Sequence, residues 1–358
     1  MPDLSASAQI KEIESAIKKL LGPRKIRLME VCGTHTVAIS RAGLRTILAP
    51  QIDLISGPGC PVCVTPAPHI AKTLWLANNE YIVATFGDMM KVPVNGTSLS
   101  ELQAQGAEIR IVYNPLEAVQ IAQDNPDNEV VFIGVGFETT APTIAGAIKT
   151  AHKHKVNNFS VLCSVKTIPI PMEIICQSPD IRVDGFILPG HVSAVIGAKP
   201  YKFIAEKYNM PGVITGFEPL DIMKGILLLT RMLIQEKPTI EIAYRRAVTE
   251  EGNLSAQKLI EEVFTPCDSM WRGLGLLPSS GLKIADKYSD FDAQRKLNIP
   301  DFPDATDNPE CKCAQVILGK IKPLQCPLFG KVCDIQNPQG PCMISSEGAC
   351  AAYFKYGY

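Results

Sequence analysis

Short apolar runs alternate with segments of helical periodicity along the first two thirds of this chain. The runs are almost continuously hydrophobic, which is typical of strands buried on both faces of a parallel sheet. The helical segments between them supply the crossover connections that parallel strands require. The pattern therefore predicts an α/β fold with two parallel-sheet units. Eight runs are predicted as strands: 26–31, 53–56, 81–86, 109–113, 129–136, 159–165, 184–190 and 212–216.

The N-terminal segment 1–24 is predicted to form a helix, because Ile10, Ile13 and Ile17 recur at helical spacing and a Gly-Pro pair ends the pattern. The segment is charged throughout and has no continuous apolar core, so it does not have the pattern of a signal peptide. The most apolar run, 225–233, is too short and too charged at its edges to span a bilayer. We therefore expect a cytoplasmic protein without a membrane partner.

The two series of strands are related by an offset of 131 residues, at which identical residues recur in or just after three strands of each series. This weak internal duplication predicts two related α/β domains, 25–125 and 126–237. The recurring pairs are Cys32 and Cys163, Asp53 and Asp184, Pro58 and Pro189, Gly59 and Gly190, and Phe86 and Phe217.

The pattern changes after about residue 240. Residues 241–264 are predicted to be helical, and beyond them proline and glycine increase while strands disappear. Six of the twelve cysteines fall between Cys311 and Cys350. A loop-rich region with so little apolar material would gain folding energy from a bound metal. We predict a small helical, loop-rich C-terminal domain over 238–358.

The net charge and the number of cysteines limit the functions that the chain could have. The formal net charge of −1 gives no electrostatic reason to expect nucleic acid as a partner. Twelve cysteines are unusual in a chain without an export signal, and a reducing cytoplasm disfavours a structural disulfide framework. Metal or redox chemistry is therefore the leading explanation. Cys163, Cys176 and Cys267 fit ordinary small core residues instead.

Ligands of parallel α/β sheets bind at the carboxyl ends of the strands, where special residues cluster in this sequence. Cys32 and His35 follow the first strand in EVCGTHT, and both could ligate a transition metal such as iron. The alternative is a strand-end turn whose histidine bonds to backbone. His191, in LPGHVSA, either lines the site or is a hydrogen-bonded loop histidine. We expect Cys32, Cys60 and His191 to face a shared cleft.

The stretch SGPGCPVCVTP places Cys60 and Cys63 just after the second strand. Their spacing suits a zinc site or a redox dithiol that cycles between thiols and a disulfide. A zinc site would need a second cysteine pair of similar spacing, which the first unit lacks. Glu138, in GFETT, is either an acceptor beside the site or a carboxylate at a helix N-terminus. We expect Glu138, with His35 and His191, to line the site.

The C-terminal cysteines have the most specific spacing, C-x14-C-x6-C-x16-C. Four thiolates suit a [4Fe–4S] cluster or a structural zinc ion, and the absence of close C-x-x-C pairs here disfavours a zinc ribbon. Spacing alone does not exclude Cys313 and Cys342 as competing ligands. The four cysteines of the pattern are Cys311, Cys326, Cys333 and Cys350.

These motifs together resemble the HypD family of hydrogenase maturation factors, over nearly the whole chain and in the family's order. They are CGTHT, GPGCPVCVTP, GFETT, PGHVSAVIG, GFEP, FTPCDSMWRGLGLLPSSGL and the C-x14-C-x6-C-x16-C tail. The resemblance implies a redox-active assembly scaffold, rather than a conventional turnover enzyme, that helps to build the Fe(CN)2CO unit of [NiFe]-hydrogenases. A small HypC chaperone would bind it, with iron held between the two proteins.

The resemblance also implies residue roles. Cys32 would bind the iron of the nascent Fe(CN)2CO group, and Cys60 and Cys63 would be the redox dithiol near it. HypE, which makes thiocyanate from carbamoyl phosphate delivered through HypF, would donate the cyanide. The [4Fe–4S] cluster that feeds electrons to the dithiol would be held by Cys311, Cys326, Cys333 and Cys350.

The sequence is also compatible with two other functions. One is a stand-alone dithiol oxidoreductase that acts on protein disulfides and has no need of Cys32. The other is a non-catalytic binding protein in which the tail cysteines hold a structural zinc ion.

Overall fold

The computed structural model describes residues 5–357, and the strands among them form two sheets. Each of the eight runs predicted as strands overlaps one of the first eight strands, with ends that differ by a few residues at most, so those predictions are confirmed. The strands are β1 (Ile26–Glu30), β2 (Ile52–Ser56), β3 (Ile82–Thr85), β4 (Ile109–Ile111), β5 (Val130–Gly136), β6 (Phe159–Lys166), β7 (Gly185–Pro189), β8 (Gly212–Thr215), β9 (Ile240–Ile242), β10 (Phe264–Trp271) and β11 (Gly275–Ile284).

The first sheet has the order β2-β1-β7-β8-β9, and all its neighbouring strands are parallel. The second sheet has the order β10-β11-β6-β5-β3-β4. Its strands β3 to β6 are parallel, whereas β10 and β11 form an antiparallel hairpin that joins β6. The predicted α/β class with two mainly parallel sheets is confirmed.

We expected the stretches 25–125 and 126–237 to form one sheet each, but each sheet contains strands from both stretches. The first sheet takes β1 and β2 from the stretch 25–125 and β7 and β8 from the stretch 126–237. The 131-residue offset relates β1 to β6 and β3 to β8, and both pairs are divided between the sheets. Hydrophobic patterning identifies a buried strand but carries no information about which strand it pairs with. The domain boundaries themselves stay a prediction.

The expectation that strands disappear after residue 240 is wrong. β9 adds an edge to the first sheet, and β10 and β11 add a long hairpin to the second. The predicted helix over 241–264 is present only as Leu254–Val263. The hairpin contains proline, glycine and serine, which are uncommon in strands and therefore weaken the sequence pattern. Its Pro266 lies in the edge strand β10, where a missing backbone N–H is tolerated.

Helices cover the sheets and make up much of the C-terminal region, together with loops and short 3-10 turns. Residues 1–4 of the predicted N-terminal helix lie outside the described residues. The helices are α1 (Ala6–Leu21), α2 (Gly33–Arg41), α3 (Leu44–Leu48), α4 (Pro61–Val64), α5 (Ala67–Asn78), α6 (Leu99–Ala104), α7 (Pro115–Asp124), α8 (Ala141–His154), α9 (Pro169–Gln177), α10 (Gly190–Ile196), α11 (Lys202–Tyr208), α12 (Pro219–Gln235), α13 (Leu254–Val263), α14 (Ala293–Lys296), α15 (Cys313–Ile317), α16 (Pro341–Ile344) and α17 (Ala349–Tyr356).

The core has a central layer and two outer layers. Neighbouring residues of β1 point to opposite faces, so Leu28 belongs to an outer cluster with α1 and α12 while Met29 belongs to the central cluster. The second outer cluster joins α7 and α8 to the other sheet. The central cluster contains Cys60, Cys63 and the buried tail cysteines, so the candidate site lies inside the main core. Among residues 5–357, no helix is both long and apolar enough to cross a membrane.

Candidate functional site

Two strand-end loops meet at the carboxyl edge of the first sheet. β1 and β2 pair in parallel with Glu30 opposite Ser56, so the segments that follow them leave the sheet side by side. Gly33 N donates a hydrogen bond to Gly59 O (3.0 Å). A Cβ on Gly59 would overlap the backbone of Cys32, so only glycine allows this close approach. The dithiol loop therefore touches the loop that carries Cys32.

A buried carboxyl group beneath these loops ties them together. Glu30 Oε1 accepts hydrogen bonds from Ser56 Oγ (2.6 Å) and Thr36 Oγ1 (2.8 Å), and Arg45 Nη2 lies 3.3 Å away. Burial raises the pKa of Glu30 to about 7, against the opposing effects of Arg45 and the hydroxyl donors. Glu30 thus joins the end of β2 to the first turns of α2 and α3.

Cys32 precedes α2 and is 8 % exposed. Burial, with the nearby charge of Glu347, raises the pKa of the Cys32 thiol to about 12. Without a cation beside it, this sulfur stays protonated at neutral pH. A bound metal ion would displace the proton, because a coordinating thiol is deprotonated by the ion's charge.

Glu347 is a site residue that the sequence motifs did not reveal. Its Oε1 accepts a hydrogen bond from Thr34 Oγ1 (2.7 Å), and its backbone packs against Gly33. The preceding loop is held by Asp88, whose Oδ2 accepts from Ser345 Oγ and Ser346 N (both 2.9 Å). A contact across 313 residues leaves no local pattern by which it could have been found.

Cys60 and Cys63 form a disulfide across the short helix α4, with their Cα atoms 5.2 Å apart. Cys60 begins the helix, and its Sγ accepts a hydrogen bond from Cys63 N (3.1 Å). Both residues are buried, at 5 % and 0 % exposure. This geometry is compatible with a dithiol that cycles between thiols and a disulfide.

The two histidines meet at Phe217, near the end of β8. His35 Nε2 lies 2.9 Å from both Gly216 O and Thr215 Oγ1. Because the carbonyl oxygen can only accept, Nε2 carries the proton, and the buried Nδ1 keeps a lone pair without a partner among residues 5–357. Burial lowers the pKa of His35 to about 4, so the ring is neutral. The His191 ring stacks on Phe217 at 3.9 Å, and the His35 ring lies 4.6 Å from it.

Glu138 lies in the loop between β5 and α8, and one of its carboxylate oxygens is free. Its Oε1 accepts a hydrogen bond from Ile168 N (2.9 Å), whereas Oε2 is buried without a partner in the described part of the chain. Burial raises the pKa of Glu138 to about 7. The pKa of the buried Tyr201 hydroxyl is raised by burial and by the charges of Glu138 and Cys32, against the opposing effect of a hydrogen bond with Ser193. Tyr201 thus joins the site, although KPYK gives no sequence signal.

The tail cysteines converge in the C-terminal region. Burial raises the pKa of Cys311 to about 12, and Cys326 and Cys350 are close enough to add to this effect. Cys333 is affected by the same two thiols. The donor set is chemically suited to an Fe–S cluster, although among residues 5–357 no three His, Cys, Asp or Glu side chains are arranged so that they could hold a metal ion.

Two further thiols lie inside this group. The sulfurs of Cys313 and Cys342 are 2.7 Å apart, and the hydrogen bond between them lowers the pKa of Cys313 and raises that of Cys342. Both residues are buried. Their helices, α15 and α16, each pack against the dithiol helix α4, and α17 packs on α2. The tail cysteines therefore adjoin the Cys60–Cys63 pair.

Of the remaining three cysteines, Cys163 and Cys176 pack against the core clusters, in agreement with the expectation of ordinary core residues. Cys163, Cys176 and Cys267 are half-buried rather than fully buried. Cys163 lies in β6 and Cys267 in the edge strand β10, and both line a cavity near the hairpin. Of the three, only Cys267 lies in a strand at a sheet edge.

Fold and site together define a cysteine-rich α/β protein whose Cys60–Cys63 disulfide lies between a buried thiol at a strand end and a group of tail thiols. Comparison with known families matches residues 6–357 to the family described as HypD, hydrogenase formation hypA family. The chain belongs to this HypD family.

Characterised relatives agree with this assignment. The chain is 46% identical over 355 residues to hydrogenase maturation factor HypD2 of Bradyrhizobium diazoefficiens, covering 96% of this chain and 93% of that protein. It is 45% identical to hydrogenase maturation factor HypD of Rhizobium leguminosarum bv. viciae, covering 97% of this chain and 92% of the relative. The HypD of Escherichia coli K12 is 45% identical, with 93% and 90% covered.

Proposed function

We propose that this protein is the scaffold on which the Fe(CN)2CO group of a [NiFe]-hydrogenase is assembled. The observation that carries the proposal is the backbone contact between the Cys32 loop and the dithiol loop at Gly59. An iron-binding thiol and a two-electron store are thereby held next to each other. A stand-alone oxidoreductase needs only Cys60 and Cys63, so it would have no use for a third buried thiol beside them.

Cys32 is the proposed thiolate ligand of the iron being modified, which is the substrate of the assembly. A HypC-like chaperone would supply a second ligand from its own chain. His35 Nδ1 is buried and free, while its Nε2–H is fixed by a backbone carbonyl, an arrangement typical of metal-binding or hydrogen-bonding histidines. Glu138 and Tyr201 would offer hydrogen bonds to ligands as they are attached.

The dithiol is the proposed reductant for cyanide release from a thiocyanate carried by a HypE-like donor. Cys60 and Cys63 give up two electrons and two protons and become joined by a disulfide. The S–C bond of the thiocyanate breaks, so the carrier sulfur leaves as a thiol and cyanide leaves as HCN. Glu138, with a pKa of about 7, is suited to take up the proton when cyanide binds to iron.

The tail cysteines are the proposed ligands of a [4Fe–4S] cluster, namely Cys311, Cys326, Cys333 and Cys350. Such a cluster, when bound, supplies electrons one at a time for reduction of the Cys60–Cys63 disulfide. The contacts of α15 and α16 with α4 support this role, because they bring the tail next to the dithiol. A cytoplasmic location is part of the proposal, since reduced thiols are needed throughout.

Anaerobic analysis of iron, sulfide and zinc in the purified protein tests this proposal against its alternatives. We expect iron with acid-labile sulfide and a brown chromophore. Zinc alone would support the non-catalytic binding protein and contradict the scaffold. Disulfide reductase activity that survives in a Cys32→Ala variant and needs no chaperone would support the stand-alone oxidoreductase.

A further inference from the structure

A cavity of about 360 Å³ lies apart from the cysteine site, between the start of α5 and the β10–β11 hairpin. Its walls include Pro66 and Pro68 from α5 and its N-cap, with Leu162 from β6 and Met270 from β10. This volume falls within the range of small-molecule pockets. None of the residues assigned to the iron, dithiol or cluster sites lines it.

A buried ammonium group faces this cavity without a counter-ion. Lys166 is 2 % exposed, and its Nζ donates hydrogen bonds to Ser269 Oγ and Met270 O (both 2.7 Å). Burial lowers its pKa to about 8, and no carboxylate contributes to the shift. The group is therefore charged at neutral pH, has a third N–H to donate, and forms no ion pair in the described chain. The Nζ lies 5.4 Å from the centroid of the Trp271 ring, a cation–π contact that supplies no negative charge, so a bound anion would complete the pairing of this buried charge.

The two aspartates that line the cavity are bonded to residues other than Lys166. Asp268 Oδ1 accepts a hydrogen bond from Ser279 N (3.0 Å). Asp292 caps α14 through Gln294 N (3.0 Å) and pairs with Arg295 at 3.4 Å. Neither of them neutralises Lys166.

Two further features favour an anion at this position. His69 Nε2 is buried at the cavity and has no hydrogen-bond partner among residues 5–357. Pro66, which lines the cavity, is the N-cap of α5, a helix of 12 residues with no side chain capping its first turn. The positive end of that helix therefore adds to the field of Lys166.

We propose that this cavity binds a small molecule through an oxyanion, either a carboxylate or a phosphate group. The oxyanion pairs with Lys166 and accepts a hydrogen bond from His69 Nε2. The rest of the ligand lies against Leu162 and Met270.

The test uses the full-length protein, with inorganic phosphate and acetate as probes and chloride of equal ionic strength as the reference. Equilibrium dialysis with radiolabelled probe measures binding directly. We expect saturable binding of at least one probe, and at least about tenfold weaker binding in Lys166→Met, as for loss of one charge-assisted hydrogen bond. Lys283→Met, at an exposed lysine that lines the same cavity, should stay within about twofold of the wild type.

Cysteine alkylation gives a readout that needs no variant. Cys267 lines the cavity, whereas the equally half-buried Cys176 does not. Mass spectrometry should show that a bound probe slows alkylation of Cys267 and leaves Cys176 unchanged. Binding of phosphate alone identifies a phosphate-bearing ligand, and binding of acetate alone identifies a carboxylate. The proposal is overturned if neither probe binds or protects Cys267, or if Lys166→Met binds as tightly as the wild type.

Discussion

Polar side chains near Cys32 have buried atoms that lack a hydrogen-bond partner among residues 5–357. Glu138 Oε2 and His35 Nδ1 are polar atoms withdrawn from water, and each lacks a hydrogen bond among residues 5–357. Leaving such atoms unpaired costs about 1–3 kcal/mol each, so a fold keeps them where a ligand completes them. In the proposed function these atoms face the iron and its ligands.

Glu138→Gln tests the burial of this carboxyl group. The folded state holds the Glu138 proton more tightly than the unfolded chain, because its pKa is about 7 rather than 4.5. The free energy of unfolding therefore loses roughly 3 kcal/mol from this group as the pH rises from 4.5 to above 7. The variant lacks that loss, so its stability relative to the wild type should rise over this pH range, as measured by denaturant unfolding.

Glu218→Gln is the matched control, because Glu218 ends the second GFE sequence but is exposed. Its stability relative to the wild type should not change with pH. A Glu138→Gln profile parallel to that of the wild type would show that this carboxyl group is not buried as described.

At the scale of elements, the dithiol helix and the Cys32 loop are positioned by one glycine. Replacing Gly59 by alanine forces a Cβ into the backbone of Cys32, so the two loops must separate. We expect Gly59→Ala to lower the free energy of unfolding by about 1–3 kcal/mol and to reduce iron binding. Calorimetry and iron analysis of the anaerobically purified variant measure both effects.

Gly146→Ala provides the comparison for this change. Gly146 lies within α8 and has open space around it, so alanine there should stabilise the protein by about 0.5–1 kcal/mol. If both variants behaved alike, the loops would not be in contact.

The sequence predicted the individual strands better than the way in which they pair into sheets. β1 to β8 could be predicted because each is a compact apolar run, and the same runs place Cys32 and Cys60 just after strand ends. Strand pairing across the two sheets could not be predicted, since apolar strands do not identify their partners. Glu347 and Tyr201 were missed for a related reason, because their role depends on contacts between distant parts of the chain.

At the scale of the whole molecule, the C-terminal region covers the candidate site at the strand ends of the first sheet. It packs on α2 and α4 and places Glu347 beside Cys32. Much of its folding energy should come from the four proposed cluster ligands, because the region has short helices and many loops. Loss of the cluster should therefore also loosen the cover over Cys32.

Cys326→Ala should abolish bound iron and sulfide and increase hydrogen exchange in α15 to α17. Cys176→Ala, at a half-buried thiol in α9, should change neither. Cys313→Ala and Cys342→Ala should keep the cluster, since these cysteines are outside the proposed ligand set. Full iron and sulfide in Cys326→Ala would rule the ligand set out.

Infrared spectroscopy of the complex with the HypC-like chaperone tests the central claim most directly. If Cys32 holds the iron, Cys32→Ala should lose the CO and CN bands while the [4Fe–4S] chromophore is retained, because the two metal sites use different residues. Cys60→Ala should still bind iron but fail to attach cyanide, since the two-electron store is gone. A Cys32→Ala complex with the full set of CO and CN bands would contradict the account and place the iron elsewhere.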